Sequence, residues 1–515
     1  MVADVAVRNG AEQRIHERMR QHIRIRVAIQ PPLVGYLHAA NHQPTVGGEA
    51  VRVKSYSGPD HACEYTEKCA RKQSPSLVSA EKNRREIALA FLLHFWHSIK
   101  TMNRSDKKTR TPLVSSDSPG NRRKQAMVES AQRQHLDDAP NRPSSIPYFV
   151  ERLVNAAEAP KPRPRIGILC NFIPVEVILA AGADTVRLDC GNSAAVLSGE
   201  EHLTGDICPL AQATLGLFLR EDGIPRTCDA FVIPASCDAK RKLADILAHF
   251  GPVFQLALPT DPDTACHADE IVAELKRLAA FVADITGHTL NRADLLAAIG
   301  LTARRSELIR SLQDARSAQP GSLSIRDLFV TVQASLFSPE PLETWLKPAG
   351  LLLSEVRACV PEPRSFRRRV VLTGSPIVWP NFKPLNILEL CGADVVADTI
   401  CTGTQSCSDP VVLAGTSLDA AYRALAERAA FGLVCPCFCG QTTRLNRIID
   451  LVEKQHADGV VQYALRFCHA FDLENCRIER TLRDRRIPFL NLSTDYNLED
   501  TELLRARIET FLETL

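Results

Sequence analysis

The chain has 515 residues, with 62 Lys+Arg against 60 Asp+Glu, a formal net charge of +2, 45% hydrophobic and 24% charged residues. This is an ordinary globular composition, long enough for roughly two to four domains, and its balanced charge argues against a dedicated nucleic-acid binder. The longest apolar run, 87–99, is interrupted by His94 and His97 and is too short to cross a bilayer.

Residues 1–140 hold 23 Lys+Arg and 14 Asp+Glu, a balance of +9, whereas 141–515 hold 39 and 46, a balance of −7. The first part shows little periodicity, with breaks at Gln43-Pro44, Gly47-Gly48 and Ser57-Gly58-Pro59 and a polar run over 103–124. One helix is expected near 82–100. Three readings of this segment stand: a basic binding arm, a disordered extension, or sequence upstream of a start at Met102. The third notes that the 4 Met are Met1, Met19, Met102 and Met127.

From Arg163 onward, short apolar runs alternate with amphipathic stretches, which predicts an α/β sheet protein. Strands are expected at 165–170, 185–188, 230–234 and 253–258, with helices at 175–181, 209–219 and 239–250 between them. Residues 268–286, 292–317, 325–336 and 342–358 read as helices in series. Strands resume at 369–373, 394–398, 459–465 and 489–492, with helices at 385–391, 418–430, 441–455, 474–485 and 501–515. The expected division is therefore 1–145 extension, 146–266 first α/β domain, 267–360 helical segment and 361–515 second α/β domain. The two α/β blocks share a phrase: Ala181-Gly182-Ala183-Asp184-Thr185-Val186 returns as Cys391-Gly392-Ala393-Asp394-Val395-Val396.

The 17 Cys are the chemical signal. Asp4, Arg8 and Glu12 stand where a secretory signal needs an apolar core, so the chain is read as cytoplasmic. Thiols stay reduced there, and many cysteines point to metal, cluster or redox chemistry. Each block places Cys at three comparable points: after the strand that follows Gly-Ala-Asp (Cys190, Cys401), in a Cys-Pro pair before a helix (Cys208, Cys435), and at a strand end (Cys237, Cys468). In a doubly wound sheet these points share one crevice. A helix N-terminus lowers a thiol pKa, and thiolates bind soft metals and iron–sulfur clusters. There is no CxxC, so the zinc-knuckle spacing is missing. The plainer reading is that many of these cysteines are small buried side chains. Neither a GxxxxGK[ST] nor a GxGxxG segment is found.

Several stretches together resemble the 2-hydroxyacyl-CoA dehydratase, benzoyl-CoA reductase and double-cubane-cluster protein superfamily. They are Cys170-Asn171-Phe172-Ile173-Pro174-Val175-Glu176, Ile207-Cys208-Pro209, Ser236-Cys237-Asp238-Ala239-Lys240-Arg241-Lys242 and Thr373-Gly374-Ser375-Pro376. Cys401-Thr402-Gly403, Cys435-Pro436-Cys437 with Arg444, Asp458-Gly459-Val460, Cys468-His469 and Thr494-Asp495-Tyr496 follow in order, so the likeness covers about 146–515. The resemblance implies two Rossmann-like (flavodoxin-like) parallel-sheet domains with a helical segment between them. It implies Cys208, Cys237 and Cys468 as ligands of one cluster, and Cys401, Cys435 and Cys437 as the further three that a sulfide-bridged double cubane needs. Cys170 and Cys190 are secondary candidates, while Cys407 and Cys439 have no counterpart.

Glu176 and His469 are weak acid/base candidates; first-turn dipole stabilisation explains the former, and a plain strand-end histidine the latter. Lys240, Arg241 and Lys242 are read as a solvated helix face in preference to a charge offset for a cluster.

The resemblance implies an anaerobic iron–sulfur reductase component that receives low-potential electrons from an ATP-dependent iron–sulfur activator protein and passes them to a small substrate. The alternative is a 2-hydroxyacyl-CoA dehydratase subunit that removes water from a CoA thioester through a ketyl radical. A non-catalytic iron–sulfur electron-transfer subunit is the rival of another class, and a zinc protein without redox role the least favoured. A homodimer, or a heterodimer with a related subunit, is expected, with no nucleic acid or membrane partner.

Overall fold

A computed structural model describes residues 142–515 apart from 221–222, 260–264, 361–366, 433 and 439–441. The basic leader, its expected helix near 82–100, Met102 and Cys439 therefore lie outside the described residues. The described residues fall within one compact unit.

In chain order the elements are α1 (Ile146–Val154), β1 (Arg165–Ile168), α2 (Val175–Ala180), β2 (Asp184–Arg187), α3 (Ser193–Glu200), α4 (Pro209–Leu219), β3 (Ala230–Pro234), α5 (Asp238–Leu247) and β4 (Val253–Leu256). A helical series follows: α6 (Ala265–Thr286), α7 (Arg292–Ala318), α8 (Ile325–Ala334) and α9 (Leu342–Ala358). The second α/β run is β5 (Arg368–Gly374), α10 (Lys383–Leu390), β6 (Ala393–Asp398), α11 (Leu418–Glu427), α12 (Thr443–Gln455), β7 (Gly459–Leu465), α13 (His469–Asp484), β8 (Phe489–Thr494) and α14 (Thr501–Thr514).

Two four-stranded sheets result, ordered β2-β1-β3-β4 and β6-β5-β7-β8, and every pairing is parallel. The fold is α/β with two Rossmann-like sheets, as the alternating pattern predicts. Parallel strands are covered on both faces, and β1, β3 and β7 are buried along their whole length. The repeated Gly-Ala-Asp phrase has a structural cause. Gly182 (φ 82°) and Gly392 (φ 78°) occupy the left-handed position after a helix, where a β-carbon is unfavourable, and a strand then begins.

Each sheet reverses its winding at its centre, between β1 and β3 and between β5 and β7. Loops from the carboxyl ends of these strands therefore splay apart and leave a crevice. The cores also cross between the sheets. Ala421, Tyr422 and Leu425 of α11 pack in the core around β1 and β3, whereas Ala195 of α3 and Leu210 of α4 join the core around β5 and β7.

Two helices are not among the expected elements. In α3 only Ala195 and Gly199 are buried, so there is no apolar stripe to read. Its packing on α4 relies on missing side chains: a β-carbon on Gly199 would lie 2.0 Å from the Gln212 carbonyl oxygen, and one on Gly216 1.8 Å from that of Ala195. The other, α1, adjoins the unpatterned leader. Helix α13 begins at His469, five residues before the expected 474, which makes Cys468 its N-cap.

Candidate functional site

The carboxyl ends of both sheets meet at a cavity of about 480 Å³. Seven cysteines line it: Cys170, Cys208, Cys237, Cys401, Cys435, Cys437 and Cys468. All six residues named as ligands above are there, with one of the two secondary candidates. The other, Cys190, is buried in the adjoining core, outside the lining, and burial pushes its thiol up to about 11. Cys407 is buried and also outside the lining.

Three cysteines cap helices. Cys208 precedes α4, Cys237 precedes α5 and Cys468 precedes α13. Cys468 donates its S–H to Cys208, and the N–H groups of Leu210 and Ala211 also point at that sulfur, so Cys208 is held below its ordinary range against burial, while Cys468 is pushed up. Cys237 receives the S–H of Cys437, then the field of Lys240 and the N–H groups of Lys240 and Ala239, and falls to about 6 despite burial. Unpaired amides at helix starts stabilise thiolate in this way.

Cys435 behaves differently from its sequence reading. Helix α12 starts only at Thr443, with Thr442 as N-cap, so Cys435 does not cap it. Its thiol is lowered by the Cys437 S–H and N–H, and by Lys240 and Arg444. The Cys437 thiol lies between Cys237 and Cys435 and is pushed up as their shared donor. Burial raises Cys401 to about 12, against the pull of Arg187.

Lys240 is where the structure departs most from the sequence reading. Lys242 is exposed and Arg241 is exposed at the cavity's edge, but Lys240 lines the cavity and faces Cys170, Asp189, Cys237 and Cys437, whose charges hold its ammonium well above the ordinary lysine range against burial. A second cation, Arg444, is fully engaged below Cys435. It donates to Glu474 at 2.7 Å and to Thr373 at 2.8 Å, and it stacks 5.1 Å from the Phe471 ring centroid. Gly374, in the Thr373-Gly374-Ser375-Pro376 turn, has φ 126°, and a β-carbon there would sit 1.9 Å from the Tyr463 carbonyl oxygen.

A buried polar chain ties the two sheets together beneath the thiols. Arg187, at the end of β2, donates to Asp189 at 2.8 Å and to Asn171 at 2.6 Å. Asn171 donates at 2.5 Å to the Cys401 carbonyl, and the Cys170 N–H donates at 3.0 Å to Asp189. Cys170 itself has φ 71°, a left-handed turn that this anchoring supports.

The loop that carries Cys401 hangs on Asp398. Its carboxyl accepts from the Ile400 N–H at 3.0 Å and from the Thr404 hydroxyl at 2.7 Å, and burial raises it from 3.8 to about 6. The folded-state value lies above the unfolded one, so this group's contribution to stability is complete below about pH 4 and is lost as pH rises through 6. Asp398→Asn lacks that titration. In urea unfolding the variant should gain about 2–3 kcal/mol on the wild type between about pH 4 and pH 7. A difference that stays flat would mean that the carboxyl is not desolvated.

Of the acid/base candidates, His469 lines the cavity and Glu176 does not. Glu176 is 0% exposed and takes Arg428 on both oxygens, at 2.7 and 2.8 Å, with the Thr302 hydroxyl at 2.8 Å. Burial alone would raise its carboxyl, but Arg428 holds it at about 2.

Among the described residues, no group of three or more His, Cys, Asp or Glu side chains is spaced to grip a single metal ion. No described helix is long and apolar enough to cross a membrane.

The family model for the 2-hydroxyglutaryl-CoA dehydratase D-component matches residues 170–515, from the Cys170 loop to the last residue. The chain belongs to this family. It is 29% identical over 357 residues to a putative dehydratase subunit, YjiM, of Escherichia coli K12, covering 68% of this chain and 91% of that protein. It is 22% identical to the (R)-phenyllactyl-CoA dehydratase beta subunit of Clostridium sporogenes, over 68% of this chain and 91% of the relative. It is also 22% identical to the (R)-2-hydroxyglutaryl-CoA dehydratase subunit beta of Acidaminococcus fermentans, over 68% and 92% respectively.

Proposed function

We propose that this chain is the iron–sulfur component of a dehydratase-superfamily enzyme, receiving low-potential electrons from an ATP-dependent activator and delivering them to a small substrate. The observation that carries the reading is the convergence of seven cysteines from both sheets on one cavity. The donor set fits a cluster better than a lone ion. A cluster spreads its thiolate ligands over several irons, so it needs sulfurs in a wide ring rather than a tight knot.

Cys208, Cys237 and Cys468 would hold one cluster, and Cys401, Cys435 and Cys437 a second. Such clusters, when bound, take up and release single electrons at low potential. The chain's own side chains prepare the site. The Cys468 and Cys437 thiols foremost, with help from helix-start amides, keep Cys208 and Cys237 toward thiolate. Lys240 and Arg444 offset negative charge in a space where burial would otherwise penalise it. Phe172, Leu258 and Phe438 give the cavity an apolar wall that limits water. His469 stands at the wall as a proton carrier for a bound substrate.

A second, narrower reading also agrees with the relatives' names: one subunit of a dehydratase for 2-hydroxyacyl-CoA thioesters, with a related subunit as partner. Iron content separates the two. Anaerobically purified chain should be brown; about eight irons per chain support paired cubanes, and about four the dehydratase subunit. Colourless protein that holds only zinc would overturn both.

A further inference from the structure

We infer that Glu176 and Arg428 form a positioning latch that holds the Cys435–Cys437 loop against the first sheet. The argument starts from connectivity. Glu176 lies six residues after Cys170, in the first turn of α2, and Arg428 lies seven residues before Cys435. Arg428 opens a π-helical turn, Arg428–Gly432, directly after α11. Such single π-turns are rare and frequently mark functional sites, and this one is held from outside.

The support comes from one segment of the first sheet. At its far end, Glu176 grips Arg428 with both oxygens, and Thr302 of α7 completes the carboxylate's contacts. At its near end, Phe172 packs edge-on against Phe438, with ring centroids 5.0 Å apart. Residues 170–176 therefore clasp residues 428–438 at both ends. Between the two clasps, Ala429 and Ala430 are buried against the core of the first sheet, and the Val434 carbonyl accepts from Gln405 at 2.9 Å. The Cys208, Cys237 and Cys468 positions draw on none of these contacts, because each is set by its own helix start.

A buried ion pair is a poor source of net stability, because desolvation offsets the attraction. What a bidentate, largely buried pair does supply is a fixed register between two segments. Here the register concerns the second thiol set of the site proposed above, on which the inference rests.

The test uses full-length protein without iron. Each cysteine's alkylation rate is measured anaerobically by mass spectrometry. In Glu176→Gln, Cys435 and Cys437 should react about tenfold faster than in the wild type, with Cys208 and Cys468 within about twofold, as expected for local opening. Thr302→Val removes one contact and strands no charge; it should give a smaller rise at the same two cysteines, and it decides the matter if Glu176→Gln does not fold. A uniform rise at all the cavity cysteines, or none at Cys435 and Cys437, overturns the latch. The readout needs no metal, so a selective rise in a chain that binds no iron would sustain the latch and reject the iron–sulfur reading.

Discussion

Cys237→Ala and Cys468→Ala should each lower the iron content of anaerobically purified protein from about eight to about four per chain, and Cys401→Ala should remove the complementary half. The expectation rests on how the thiols are grouped. Cys208 and Cys468 share a proton and both feel the charge of Cys237, so these three sulfurs face one volume. Cys401 and Cys435 feel one another, and Cys435 takes the S–H of Cys437, which is shared with Cys237 and so lies where the two sets adjoin. A cubane that loses one of three protein ligands has no replacement among them. Cys170 is the exception to watch, because it lies against Cys401 and lines the same cavity. If Cys401→Ala keeps its iron while Cys170→Ala loses it, the second ligand set must be redrawn around Cys170. Full retention of iron in both Cys237→Ala and Cys468→Ala would reject the first set outright.

The same grouping shows how far the sequence could be read. Parallel strands announce themselves, because burial on both faces makes them continuous apolar runs; 230–234 and 459–465 coincide with β3 and β7. The strand-end cysteines followed from those strands together with the rule that strand ends and helix starts share a crevice. Orientation around a helix axis was harder. Lys240, Arg241 and Lys242 are adjacent cations with identical propensity, and a helix turns about 100° per residue. Only the packed position of α5 decides that the first faces the thiols, the second reaches the cavity's edge while exposed, and the third faces water.

Cys435-Pro436 resembles Cys208-Pro209 in sequence, yet only the second opens a helix. Proline is compatible with both a helix start and a turn, so the dipeptide alone cannot distinguish them. Neither the Glu176–Arg428 pair nor the Arg187–Asn171–Cys401 chain carries a local signal. Their members lie 252 and up to 230 residues apart, and each is assembled only when the two sheets meet.

That second assembly leads to the largest expected effect on stability. Arg187 and Asp189 are 3% and 4% exposed, and their contact is a direct 2.8 Å ion pair. Burial would raise the Asp189 carboxyl, but Arg187 foremost, then Lys240 and the Cys170 N–H, hold it below the usual range. Arg187→Met leaves that carboxylate enclosed with its main partner gone, and should cost about 3–5 kcal/mol in urea unfolding. Arg187→Met combined with Asp189→Leu removes the enclosed carboxylate and should recover about half of the loss, because apolar replacements of a buried pair are often neutral but Lys240 and the Cys170 N–H lose Asp189 as a partner. The sign with pH is fixed as well. A depressed carboxyl contributes stability that is present above its unfolded value and lost as pH falls through the folded one. In the single variant Asp189 is no longer depressed by Arg187, so its penalty is largest near neutrality and the gap to the wild type narrows on acidification. A double variant as unstable as the single one would show that the cost lies elsewhere, in the hydrogen bonds through Asn171 that join the Cys401 loop to the first sheet.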